Sequence, residues 1–137
     1  EVIIVAKKIE MAKNSEEYIK ASLVNIELYK INGEQLKHDS TAKKIKRVNF
    51  VDIYELKGKN VKIKLSEKLF FIPEGRFKLD FEVIGTFEFN REVKEENIKE
   101  QLDFLALPLF SYSSFLIAFM VERFTNIPLI LPPEKAD

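Results

Sequence analysis

No cysteine occurs in these 137 residues, so neither a disulfide framework nor a thiolate metal site is available. Tryptophan is absent, and histidine occurs once, at His38. With one imidazole and no thiol, a transition-metal centre is not expected. Glycine is scarce, at four residues, and none sits in a phosphate-cradling loop. Charge of one sign is also missing: 22 basic residues balance 22 acidic ones. No strong field therefore draws the chain to nucleic acid or to an anionic membrane. Internal repeats and low-complexity linkers are absent, and the length suits one domain spanning residues 1–137. The chain begins at Glu1 without an initiator Met, which leaves room for a short leader. The run Val2-Ile3-Ile4-Val5-Ala6 is too short for a signal-peptide core. A reducing cytoplasm suits this composition.

What the chain has in excess is aromatic and apolar surface. Twelve Phe and four Tyr are heavy for a domain of this length. The densest run is Leu107 to Pro133, LPLFSYSSFLIAFMVERFTNIPLILPP, in which almost nothing can do chemistry. Phe104 to Val121 is 18 residues without a charge, the length of a membrane-spanning helix. Pro108, Ser111, Ser113 and Ser114 interrupt it, and its flanks, Asp103 and Glu122-Arg123, carry no positive-inside bias. A buried helix is the better reading, and no membrane insertion is expected.

Hydrophobic periodicity orders the rest. Phe77, Leu79, Phe81, Val83, Phe87 and Phe89 share one parity, and Lys78, Asp80, Glu82, Thr86 and Glu88 take the other. That alternation predicts a half-buried antiparallel strand, broken only by Ile84, with Gly85 as a bend or bulge. Val61 to Phe71 alternates similarly, interrupted by Glu67, and Val48 to Leu56 reads as a strand. Lys57-Gly58-Lys59-Asn60 is a hairpin turn and Pro73-Glu74-Gly75 another turn. Tyr18 to Ile31 is a first apolar segment closed by Asn32-Gly33, and residues 32–44 read as a polar loop. The first 17 residues are ambiguous between a short strand and a helix. Beyond Phe89 the period changes to that of helices. Asn90 is placed to cap one that carries Glu92, Glu95 and Glu96 at its positive end. Pro108 ends or kinks it, and a second helix runs from about Tyr112 to Phe124. Strands first and helices last predict an α+β domain: a four-stranded antiparallel sheet with C-terminal helices packed on one side.

Candidates for chemistry are thin. His38 adjoins Asp39 and Ser40, but sequence neighbours rarely converge as a triad, and a solvated loop is the simpler reading. Glu92, Glu95, Glu96, Glu100 and Asp103 read as the wet face of a helix rather than an acid–base pair. Residues 43–64 hold eight Lys or Arg against Asp52 and Glu55, with Phe50 and Tyr54 among them. A single-stranded nucleic-acid surface has this composition. No RNP-like motif accompanies it, and lysines guarding an edge strand account for it, so nucleic acid is not an expected partner. No catalytic residue, metal or cofactor is expected. A small-molecule- or lipid-binding enzyme is disfavoured on the same grounds.

Several elements in order resemble a known family. They are Gly85-Thr86-Phe87-Glu88-Phe89, an acidic helix, Leu109-Phe110-Ser111-Tyr112, a hydrophobic helix ending near Arg123, and Ile127-Pro128-Leu129-Ile130-Leu131-Pro132-Pro133. This pattern is similar to the SecB family of export chaperones, from Phe77 onward. Ser111 and Ser114 stand where the family pattern has Pro and Arg. The resemblance implies tetramers built as dimers of dimers, and ATP-independent holding of unfolded chains in apolar grooves. Some relatives deliver preproteins to the SecA motor, and others serve antitoxins of toxin–antitoxin systems. Export-type members tend to be acidic, whereas this chain is neutral, which leaves a SecA contact open.

The expectation is therefore a holdase whose partners are unfolded or non-native polypeptides, assembled as a homodimer or homotetramer. The alternative is a structural or regulatory protein of the same fold with one fixed partner, or a nucleic-acid-binding α+β domain. Val48, Phe50 and Tyr54, with Leu107, Leu109, Phe110 and Tyr112 at the turn between helices, are the expected peptide-binding residues. Phe115, Phe119, Phe124, Ile127 and Leu129 are the expected oligomer interface.

Overall fold

A sheet forms where alternating strands can bury one face, and here four do so in the spatial order Ala21–Gln35, Phe77–Phe89, Asn60–Ile72, Lys44–Lys57, all antiparallel. The computed structural model describes residues 9–10, 18–36, 44–72, 77–126 and 129–136. Its sheet comprises β3 (Ala21–Gln35), β4 (Lys44–Lys57), β5 (Asn60–Ile72) and β6 (Phe77–Phe89). Before it, β1 (Ile9–Glu10) pairs with β2 (Tyr18–Ile19) as a separate two-stranded ribbon. Three helices follow: α1 (Glu95–Glu100), α2 (Leu102–Leu105) and α3 (Leu107–Thr125). The fold is the expected α+β arrangement.

The parity of β6 decides which face is covered. Phe77, Leu79, Phe81, Val83, Phe87 and Phe89 are all buried, and with Val61, Ile63, Leu65 and Leu69 of β5 they make the floor of the core. Leu105, Leu109, Phe110, Ile117 and Val121 make its roof. Gly85 is neither bend nor bulge, because the β5–β6 register runs through it unbroken. A Cβ there would lie 2.6 Å from Leu109 Cδ2, so the missing side chain lets α3 approach the sheet. Ile84, the break in the alternation, is 2% exposed on the opposite face.

Local chemistry moved several boundaries. Asn32-Gly33 does not close β3, which continues to Gln35 paired along β6; a Cβ on Gly33 would meet Phe124 Cζ at 2.8 Å. Asn90 does not cap a helix: its side-chain oxygen accepts from the Lys20 N–H at 2.9 Å and ties the end of β6 to the start of β3. Helix α1 starts later, with Glu95 and Glu96 in its first turn. Pro108 opens α3 rather than ending a helix, since a first-turn proline has no intrahelical N–H to lose. That starts the last helix at Leu107, not Tyr112. Its end is set by Asn126 in the left-handed conformation (φ 65), whose N–H bonds Glu122 O at 2.7 Å. Gly58, also at positive φ, makes the expected β4–β5 turn. His38 and the Pro73-Glu74-Gly75 turn lie outside the described residues, as does most of the expected 32–44 loop.

Candidate functional site

Three surfaces remain once the core is assigned. The first lies along α3. Its buried side presents Leu109, Phe110, Ser113, Ile117 and Val121. Its outer side is a row at helical spacing, with Leu107, Phe115 and Phe119 at 47%, 66% and 43% exposure. The Arg123 guanidinium lies 4.7 Å over the Phe119 ring, a cation–π contact that extends the row by one turn. Among the described residues, α3 is the one helix long and apolar enough to cross a membrane by length and composition. Its inner side is instead packed along the sheet.

The second surface is the sheet face turned away from the helices. Register irregularities fall at Leu23/Asn25 and Leu28/Lys30 in β3 and at Ile53/Glu55 in β4, and the residue left over at the last two is a tyrosine. A bulge redirects its side chain. Tyr29 and Tyr54, from opposite edge strands, meet with ring centroids 5.8 Å apart. The Tyr54 hydroxyl points at Tyr29 Oη across 3.4 Å, a long bond that nonetheless raises the Tyr54 phenol above its ordinary value. Lys64 Nζ sits 5.7 Å from the Tyr54 ring and 3.5 Å from Glu82. Register places Val48 and Phe50 on this same face, at 39% and 51% exposure. The surface is thus aromatic islands among paired charges of both signs.

The third surface is a polar cluster inside the helix-covered face, and sequence reasoning missed it. Asn49 and Glu67 are register partners on β4 and β5 and are both buried. Arg47 Nε donates to both Glu67 carboxylate oxygens, at 3.2 and 3.1 Å, and Asn49 Nδ2 donates to Oε1. Burial raises the Glu67 carboxyl above its ordinary value of 4.5, and the Arg47 and Asn49 bonds pull it back only in part. The signal was present: Glu67 occupies an apolar-parity position of β5, where a charge needs a partner. The partners stand on the next strand, hidden in a lysine-rich stretch.

The expected peptide-binding residues do not converge on one groove. Val48, Phe50 and Tyr54 lie on the open sheet face, while Leu107, Leu109, Phe110 and Tyr112 belong to α3 on the other side. Leu109 and Phe110 are fully buried core residues, because α3 starts early enough to carry both onto the sheet. Tyr112 is half-buried against the core; Leu107 is exposed. Of the expected interface, Phe115 and Phe119 are exposed. Phe124 is half-buried, stacked on Phe77 at 5.4 Å, and Leu129 packs on the core. Ile127 lies outside the described residues.

Neither a family model nor a curated protein matches this chain. Solved structures do. One is a SecB-like chaperone from Mycobacterium tuberculosis, in complex with a ChAD peptide from the HigA1 antitoxin. It matches with a TM-score of 0.68 at 15% identity, over 82% of this chain and 89% of that one. The fold is SecB-like. A protein of unknown function from Streptococcus agalactiae is similar with a TM-score of 0.56 at 11% identity, over 83% and 98% of the two chains. At 82% coverage of this chain, the SecB-like likeness extends beyond the C-terminal half that carries the sequence pattern.

Proposed function

We propose that this SecB-like chain is an ATP-independent holdase that binds apolar segments of non-native polypeptides, and that it is not an enzyme. The observation that supports this most is the amount of aromatic surface left outside a complete core: Tyr29, Phe50, Tyr54, Phe115 and Phe119 are all more than 40% exposed. Large exposed apolar groups in clusters mark interaction surfaces. Their two locations suggest a division of labour. The open sheet face, with Val48, Phe50 and Tyr54 beside the edge of β4, offers apolar contact together with backbone groups for a client's extended segment. The Leu107, Phe115 and Phe119 row on α3 suits a second copy of the chain, giving a dimer or tetramer. A cytoplasmic location fits a cysteine-free chain, and no cofactor, metal, membrane or nucleic acid enters this reading. A dedicated client such as an antitoxin fits as well as general export; a SecA contact has no particular support. The alternative, one fixed partner, predicts that a pull-down recovers a single protein rather than many.

The test is suppression of aggregation of a chemically unfolded protein on dilution. Phe50→Ser/Tyr54→Ser should leave the melting temperature within a few degrees and lose most of the suppression. Wild-type protein that suppresses nothing, or a double variant that works as well as wild type, would refute the assignment.

A further inference from the structure

The C-terminal segment lies over the inner face of β4, where the buried polar cluster grips it through its main chain. Arg47 Nη1 donates to Pro132 O at 2.7 Å, Asn49 Nδ2 to Glu134 O at 3.4 Å, and the Ala136 N–H donates to Asn49 Oδ1 at 2.9 Å. None of these bonds reads a tail side chain. Pro132, Pro133, Glu134 and Lys135 are exposed, while Leu129 and Leu131 pack on the core and Ile130 between them points out at 77% exposure. The main chain turns at Pro132–Glu134, where the Glu134 N–H bonds Pro132 O at 2.9 Å, and the receptor supplies fixed donors and an acceptor to the backbone on either side of that turn.

We propose that Arg47, Asn49 and Glu67 form a receptor site for the main chain of a polypeptide segment, filled in cis by residues 132–136, so that this strap competes with a client segment for the inner face of β4, a second contact on the face opposite Phe50 and Tyr54. The inference rests on the chaperone reading for the identity of the competitor. The receptor does not depend on the strap for its shape, because Glu67, Arg47 and Asn49 hold one another across two paired strands. The strap, in contrast, is lightly held. Its one ion pair among the described residues, Lys135 to Asp103 at 3.8 Å, joins side chains more than half exposed, and such pairs contribute little. Arg47 also has capacity to spare: Nη2 is buried with no partner among the described residues, a donor free for a carbonyl or carboxylate the strap does not supply. A segment that met that donor as well would hold the site better than the strap does.

The absence of cysteine makes the test direct. Lys135→Cys in the full chain takes a single environment-sensitive dye on an exposed strap position. A permanently unfolded protein, reduced and carboxymethylated, is titrated in, and its binding is followed separately by its own anisotropy. The expected result is a saturable change in the strap dye with the same midpoint as client binding. Ala136→Pro deletes the N–H that the strap gives to Asn49 and leaves the receptor intact. It should tighten client binding about fivefold, the effect of one main-chain hydrogen bond. Client binding that saturates with no dye change, or that Ala136→Pro leaves unaltered, would overturn the competition. A synthetic peptide of residues 127–137 separates this failure from failure of the chaperone reading, because it needs no client activity. It should displace the dye-labelled strap, and at about fivefold lower concentration when the chain itself carries Ala136→Pro, because only the strap has then lost its bond to Asn49. A peptide that displaces nothing would overturn the site, whereas displacement by the peptide in a protein that binds no unfolded chain would overturn only the chaperone reading.

Discussion

Replacing Glu67 by leucine tests the buried cluster most sharply. The Arg47 and Glu67 side chains are only 10% and 1% exposed, so solvent cannot rescue either if the other is removed. Glu67→Leu leaves the Arg47 guanidinium buried and uncompensated, which costs about 3–5 kcal/mol. Asn49 loses an acceptor in the same step. For a domain of this size each kcal/mol moves the thermal midpoint by about 3–5 °C, so the shift should be on the order of 10–20 °C. The double replacement Arg47→Met/Glu67→Leu removes both charges and should recover most of that loss, because two apolar side chains of similar volume suit the surrounding core. Recovery should stop about 1–2 kcal/mol short of wild type, since Pro132 O loses its Arg47 donor and Asn49 still lacks Glu67. Thermal melts by circular dichroism on the two single variants and the double one give the coupling. A Glu67→Leu melt within about 3 °C of wild type, or a double variant no more stable than Glu67→Leu, would refute the buried pairing.

The same carboxyl carries a pH signature. Because burial raises its folded pKa above 4.5, the native state binds more protons than the unfolded chain in the window above that value. Its contribution is therefore fully present below pH 4.5 and is lost as pH rises through the folded pKa, so the wild-type stability minus that of Glu67→Gln should fall with rising pH there; a difference that rises would contradict the assignment. At the helix–sheet contact, Gly85→Ala should cost about 1–3 kcal/mol by pushing Leu109 away. The double variant Gly85→Ala/Leu109→Ala should lose less in total than the two single losses added together; strict additivity in melts would show that the contact is not the constraint. On α3, Phe115→Ser/Phe119→Ser should lower the oligomeric state seen by sedimentation at micromolar concentration while the midpoint at high dilution changes by less than about 1 kcal/mol, since both side chains are exposed. An assembly of unchanged mass would remove this row as the interface.

Much of the candidate site was legible in pieces but not in its assembly. Phe50, Tyr54, Phe115 and Phe119 stood out as aromatics in excess of what a core uses, and they are exposed. Leu109 and Phe110 drew attention for their place at the expected turn between helices and are core, because whether a helix residue faces in depends on where the helix begins, and Pro108 suits either the end of one helix or the first turn of the next. The Tyr29–Tyr54 contact was invisible, since it needs two register irregularities on strands that are not neighbours.

The sequence by itself determined the layers: alternation in β5 and β6 specifies which face is buried, the change of period after Phe89 specifies that helices cover it, and the absence of cysteine removes thiolate chemistry. These are properties of local spacing, and local spacing is what a strand or helix needs to know. Tertiary structure alone decided what happens to Glu67, Gly85 and the last residues. A charge within an apolar strand becomes a buried anchor only when Arg47 and Asn49 arrive opposite it by strand pairing. A glycine becomes a contact point only when Leu109 descends onto it. The C-terminal strap finds its hydrogen-bond partners some 85 residues back along the chain, a distance over which no local pattern carries information.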